Sequence, residues 1–227
     1  MANVLVEKRG KIGIVTVNRP EQLNSMNSAT RGEMAKAFET MEEDADVSVV
    51  ILTGASGKAF IAGADIKEFS EMILQARDEM EKDWRVTKVI SSMTKPVIAM
   101  IDGFCLGGGL EIAMSCDLRI SSKKSKLGQP EINIGIIPGA GGTQRLTRLV
   151  GEGRAMEMIL TGRMITAEEA HQYGIVNFIF DSEELEEKTL EIAKTITGKS
   201  SYAVETVSYT HLRAHETLRY LVWRLLL

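Results

Sequence analysis

Residues 96–121 read PVIAMIDGFCLGGGLEIAMSCDLRIS. Pro96 to Ile101 is a short, continuous apolar run, which suits a strand buried on both faces. Leu110 to Ser115 reads as a helix launched by Gly107-Gly108-Gly109, and Leu118 to Ser121 returns to a strand. Strand, glycine turn, helix and strand in such close order is the alternation of an α/β fold with a mainly parallel sheet.

The alternation extends in both directions. Lys11 to Asn18 is a β-rich run closed by Arg19-Pro20. Ser28 to Ala45 places Met34, Ala37, Phe38 and Met41 at helical spacing, with Ser28 or Thr30 as the expected N-cap. Ser48 to Thr53 is a second buried strand, stopped by Gly54. Gln75 to Ser92 is expected to be a helix ending before Pro96. Thr143 to Val150 and Ala155 to Leu160 are helical, Ile175 to Phe180 is a late strand and Glu183 to Thr197 a late helix. No period of solenoid length repeats. The chain changes character near Ser208, and Ser208–Leu227 closes on the apolar triplet Leu225-Leu226-Leu227.

Three segments carry chemistry. The glycine triplet exposes backbone N–H groups at a helix start, where they point at an anion or a developing negative charge. Glu111 follows at once, in almost wholly apolar surroundings where a buried carboxylate needs a reason. A second run, Gly128-Gln129-Pro130-Glu131, leads into Ile137-Pro138-Gly139-Ala140-Gly141-Gly142 and supplies another carboxylate. Taken alone, Glu111 reads equally well as a functional group or a helix-dipole partner, and Glu131 as a functional group or an exposed residue after Pro130. Together with the glycines they point to proton transfer beside a carbonyl. The third segment is Phe60-Ile61-Ala62-Gly63-Ala64-Asp65-Ile66. Its small residues let a ligand approach the backbone, although a tight turn with Asp65 as an N-cap would use the same residues.

Composition narrows the alternatives. The chain has 227 residues, 44% hydrophobic and 26% charged, with a formal net charge of -4. That suits one globular domain and argues against broad nucleic-acid binding. Cys105 and Cys116 lie in apolar sequence, as buried reduced thiols do, and no metal-ligand spacing is present. The N-terminus has no charged-then-apolar signal pattern, and no apolar run approaches a membrane span. A cytoplasmic enzyme is the expectation, or a matrix protein lacking its targeting piece. Neither glycine run forms a dinucleotide fingerprint after an early strand, and no P-loop is present. There is no G-x-S-x-G elbow. His171 sits on a helix rich in Ala and Glu and reads as a surface residue, while His211 and His215 do not complete H-E-x-x-H.

With these segments in order, the chain resembles the crotonase family, and within it the short-chain enoyl-CoA hydratases. The matching residues are Asn18-Arg19-Pro20 with Leu23-Asn24, Ala62-Gly63-Ala64-Asp65-Ile66, Lys95-Pro96-Val97-Ile98-Ala99, and Gly103-Phe104 with Leu106-Gly107-Gly108-Gly109 and Glu111. After them come Cys116-Asp117, Gly128-Gln129-Pro130-Glu131, Pro138-Gly139 and Gly142-Thr143-Gln144-Arg145-Leu146. The resemblance spans roughly residues 3 to 207.

It implies a spiral of ββα repeats over residues 1–207 and reversible hydration of a 2-trans-enoyl-CoA to a 3-hydroxyacyl-CoA. The N–H groups of Ala64 and Gly108 would form an oxyanion hole, and Glu111 and Glu131 would hold and activate water. Ala62, Ala64, Asp65, Ile66 and Lys67, with Gly108, would bind coenzyme A, which belongs to the substrate; no separate cofactor and no metal is implied. Retention of both glutamates favours hydration. The alternatives are an enoyl-CoA isomerase, a 3-hydroxyacyl-CoA dehydratase, or a non-catalytic, RNA-binding member of the fold. The family places helices after the last matching segment that close the acyl pocket and build a trimer or a dimer of trimers. Here Ser208–Leu227 does not resemble them, so that region is expected to be truncated or replaced.

Overall fold

The computed structural model describes residues 2–65, 68 and 85–207. Two sheets organise them. The larger has six strands, β1 (Val4–Arg9), β2 (Ile12–Val17), β3 (Val49–Gly54), β5 (Val97–Ile101), β7 (Leu118–Ser122) and β10 (Phe178–Phe180), ordered β1-β2-β3-β5-β7-β10. The smaller is built from β4 (Ala59–Ile61), β6 (Phe104–Leu106), β8 (Lys126–Gly128) and β9 (Met164–Thr166), in that order. Apart from the antiparallel pairs β1–β2 and β8–β9, every pairing is parallel.

The apolar runs of the central strands divide between two cores because side chains alternate across a strand. Ile12, Ile14, Val49, Ile51, Ile98 and Ile120 face one way and pack with Leu185 and Ala193 of helix α7 (Ser182–Thr197). Val15, Val17, Val50, Leu52, Val97 and Ala99 face the other way, into the main core. That side is covered by α1 (Ser28–Glu43), α2 (Arg85–Ser92) and α3 (Gly108–Ser115), through residues such as Phe38, Ile90 and Leu110. Each such large side chain, fully buried, contributes about 1.5–3 kcal/mol of transfer free energy. Helices α4 (Gly142–Val150), α5 (Glu152–Thr161), α6 (Ala167–Gln172) and α8 (Ser201–Thr206) complete the described chain.

Strand and helix follow the sequence reading closely, with local corrections. The N-cap of α1 is Asn27, which is extended and accepts from Thr30 N at 2.9 Å, so Ser28 already lies in the first turn. The late strand is shorter than Ile175 to Phe180. Ile175 N and Val176 N both donate to Ala170 O, which holds them in the turn after α6, and pairing begins at Phe178. The expected helix from Gln75 is described from Arg85 onward; its first part lies outside the described residues, as does Ser208–Leu227. Cys105 and Cys116 are buried and unpaired with each other. Among the described residues no helix is long and apolar enough to cross a membrane.

Candidate active site

The chain passes three times from the large sheet into the small one: β3 to β4, β5 to β6, and β7 to β8. Sharp corners make this possible. Between β5 and β6 the turn is Asp102-Gly103, and Gly103 has φ +82°, where a Cβ would lie 2.1 Å from Lys58 O. At the β7–β8 corner the buried Ser125 hydroxyl meets Ser122 Oγ at 2.8 Å and accepts from Gly103 N at 3.1 Å, which locks two corners together. Since β4, β6 and β8 run parallel, their carboxyl ends lie side by side. Open parallel sheets bind ligands beyond such ends. The three segments found there are Ala62-Gly63-Ala64, Gly107-Gly108, and Gln129-Pro130-Glu131.

Backbone geometry aims two N–H groups. A lone parallel bridge joins Met26 to Ala64: Met26 N donates to Gly63 O, and Asp65 N donates to Met26 O, both at 2.9 Å. In this pattern the N–H of the bridged residue points to the other side, so that of Ala64 is turned away from Met26. On the second segment, Gly107 (φ +53°) turns the chain into α3. Gly109 then packs against the backbone of β4, where a Cβ would stand 2.1 Å from Ile61 O. The N–H of Gly108, in the first turn, has no intrahelical partner and lies at the positive end of the helix dipole.

The two carboxylates differ in their partners. Glu111 is 1% exposed, and its Oε1 accepts from Ala140 N and Gly142 N, both at 2.7 Å. Burial raises its pKa, while these two amides and the Arg145 charge pull it back. Glu131, on the 3-10 turn Pro130–Ile134, has its pKa pushed up to about 7, first by burial and further by the Glu111 charge. The fully buried Gln129 amide, with its nitrogen toward Glu131, donates to the two carboxylate oxygens at 2.8 and 3.1 Å. The pair titrates as a unit. The two amides on Glu111 Oε1 favour its ionised form, while burial and the Glu111 charge favour the proton on Glu131.

Both carboxylates line one cavity of about 270 Å³, with Ala62, Ala64, Gly107 and Gly108 on one side and Pro130, Asn133, Ile134, Ile136 and Ile137 on the other. The fold thus brings together Glu111, Glu131, Ala62, Ala64 and Gly108. Asp65 is directed elsewhere: its carboxylate pairs with Arg19 Nη2 at 3.0 Å, and Arg19 Nη1 reaches Ser25 O. Ile66 and Lys67 lie outside the described residues. His171 is exposed, its ring against Val176 O. Among the described residues no group of three or more His, Cys, Asp or Glu could hold a metal ion. Sequence reasoning gave no role to Gln129, Ala140, Gly142 or Arg145, although all lie in or beside the quoted motifs. A Cβ on Gly142 would lie 2.8 Å from Glu111 Oε1 and 2.9 Å from Pro138 Cβ, so a side chain there would crowd the carboxylate.

A buried carboxylate, Glu111, and a half-buried one, Glu131, share a cavity with small backbone segments at the ends of parallel strands, an arrangement suited to acid–base chemistry. Comparison with known proteins agrees in class. The sequence model of the enoyl-CoA hydratase/isomerase family matches residues 7–220, and the chain belongs to that family. It is 48% identical over 204 residues to the short-chain-enoyl-CoA hydratase of Clostridium acetobutylicum, covering 89% of this chain and 78% of that one. It is 42% identical over 203 residues to the crotonyl-CoA hydratase of Syntrophomonas wolfei, again covering 89% and 78%. The crystal structure of enoyl-CoA hydratase from Bacillus anthracis superposes with a TM-score of 0.85 at 40% identity, covering 91% of this chain and 81% of that one.

Proposed function

We propose that the protein reversibly hydrates a 2-trans-enoyl-CoA thioester to the 3-hydroxyacyl-CoA. The observation that carries this reading is the placement of two unlike carboxylates, Glu111 and Glu131, on the wall of the same cavity as Ala64 and Gly108. With the thioester oxygen between the Ala64 and Gly108 N–H groups, electron density withdrawn from the C=C bond makes the β-carbon electrophilic. Glu111, the better-ionised partner, takes a proton from water as the water oxygen bonds to the β-carbon. The C=C electrons move onto the thioester oxygen as an enolate. Glu131, the better-protonated partner, delivers its proton to the α-carbon as the carbonyl re-forms. One oxyanion donor is worth about 10²–10³ in rate and each proton-transfer group about 10²–10⁴.

Residues 1–207 form the catalytic unit in this reading. Coenzyme A enters as part of the substrate along Ala62, Ala64, Asp65, Ile66, Lys67 and Gly108, with no further cofactor. The Asp65 contribution is through backbone, since Arg19 holds its carboxylate. We assign the protein to the cytoplasm, working as a homo-oligomer (a trimer or a dimer of trimers) without nucleic acid or membrane. Crotonyl-CoA hydration tests the chemistry: Glu111→Gln and Glu131→Gln should each lower kcat at least a hundredfold with the thermal transition retained. Either variant working at the parent rate would overturn the two-carboxylate assignment. A parent enzyme that shifts the double bond of a 3-enoyl-CoA without hydrating crotonyl-CoA would make it an isomerase.

A further inference from the structure

We propose that Arg145 is a positioning residue that keeps the proton of the carboxylate pair on Glu131, by clamping the Ala140–Gly142 loop onto Glu111 and setting a fixed cation behind it. Its catalytic consequence rests on the hydratase reading; the location of the proton does not.

Three observations carry it. Arg145 Nη1 donates to Ala140 O at 2.7 Å, and the N–H of the same residue donates to Glu111 Oε1. The Ala140 unit is therefore held from both sides, by the arginine behind and the carboxylate in front. Second, Gly141 has φ +94°, and a Cβ there would sit 2.3 Å from Arg145 Nη1. The guanidinium folds back over that residue, so the glycine makes room for it while Ala140 N and Gly142 N converge on one oxygen. Third, Arg145 Nη2 donates to Ser91 Oγ at 3.2 Å, which anchors the clamp to α2 in the core. Among the described residues Glu131 is met by the neutral Gln129 amide and by its own backbone N–H, with no cation behind it.

Among the described residues, the surroundings of Glu111 offer no other fixed charge to do this. The described charged groups facing it are Glu131 and Arg145, and the Arg145 charge favours its ionised form. Helix α2 presents Ser91 on this side, while its Lys88 is exposed and Arg85 pairs with Glu39. The buried thiols Cys105 of β6 and Cys116 after α3 are kept neutral, their pKa values driven up by burial. Strand β4 carries no titratable residue.

Carboxyl titration by carbon-13 NMR on glutamate-labelled protein, with Glu111→Gln and Glu131→Gln as assignments, reads the proton without substrate. In Arg145→Gln the Glu111 midpoint should rise by about one pH unit, and that of Glu131 should fall. The acidic limb of kcat/KM for crotonyl-CoA should rise with it, lowering activity up to about tenfold on that limb. Arg145→Lys, which keeps the charge, should return both most of the way. If Arg145→Gln does not fold, Gly141→Ala displaces the guanidinium and should move the Glu111 midpoint in the same direction. A midpoint unmoved in the folded variant, or moved equally in Arg145→Lys, overturns the proposal even where activity falls. An inactive parent whose Glu111 midpoint still shifts would sink the hydratase reading and leave the role of Arg145 standing.

Discussion

The six-stranded and four-stranded sheets are made from the same pieces of chain taken in turn, and they divide the work between them. The central strands β2, β3 and β5 of the large sheet are five or six residues long, mostly apolar, and are buried between two cores. Its stability comes from area, so a defect at one residue is shared among many contacts. The strands of the small sheet are three residues each. They bury less and are held in place by backbone contacts with no spare room: Gly103 against Lys58 O, and Gly109 against Ile61 O. Their carboxyl ends are where the cavity opens. The large sheet therefore holds the molecule together, and the small one aims it.

That division predicts different responses to damage. Gly109→Ala forces a methyl onto the Ile61 carbonyl, a backbone atom that cannot move aside. It should cost about 3 kcal/mol or more and, through displacement of Gly108 and Glu111, lower kcat at least a hundredfold. Melting and steady-state kinetics together check this, and retention of both would remove the small sheet's special status. Leu52→Ala, in the middle of the large sheet, should cost about 3 kcal/mol of stability yet leave kcat within about twofold below the melting transition. A large loss of kcat there would erase the contrast.

The smallest effect is a pH dependence seated at the small sheet's rim. Glu131 is held at about 7 in the folded chain, against 4.5 for an ordinary glutamate. A raised carboxyl keeps its proton in the folded state after the unfolded state has lost it. Its contribution is thus full below about pH 4.5 and is lost as the pH rises through 7. The Tm should fall across that window, and Glu131→Gln should flatten the fall by about 1 kcal/mol, the full linkage of the shift being cut by solvent screening at this half-buried group. Parallel slopes for parent and variant would show that the folded protein does not burden this carboxyl.

The two sheets also differ in how far they could be read from residues. The central large-sheet strands β2, β3 and β5 announce themselves as largely apolar runs, because burial on both faces demands it; β7, Leu-Arg-Ile-Ser-Ser, does so less plainly. Strands β4, β6, β8 and β9 passed unseen, since three residues are too few to show a period. Phe60-Ile61 read as the entry to a turn and Phe104-Cys105-Leu106 as part of an apolar stretch, yet both are strands. The candidate site shows the same split. Glu111, Glu131, Ala64 and Gly108 stand out as residue types at telling places, whereas Arg145 and Gln129 are unremarkable in sequence. Their roles depend on which carbonyl or carboxylate lies across the fold.

By itself the amino-acid order determined the α/β alternation, the cores of the larger strands and the glycine-rich turns paired with glutamates. These are properties of neighbours along the chain, set by burial periodicity and by backbone freedom at glycine. Only the tertiary structure decided that three short strands run parallel and end together. It also gave Glu111 two amides and a nearby cation, left Glu131 beside a neutral amide, and turned Asp65 toward Arg19. Those outcomes depend on distances between residues far apart in the chain, and a carboxyl's proton affinity is set by what surrounds it in space.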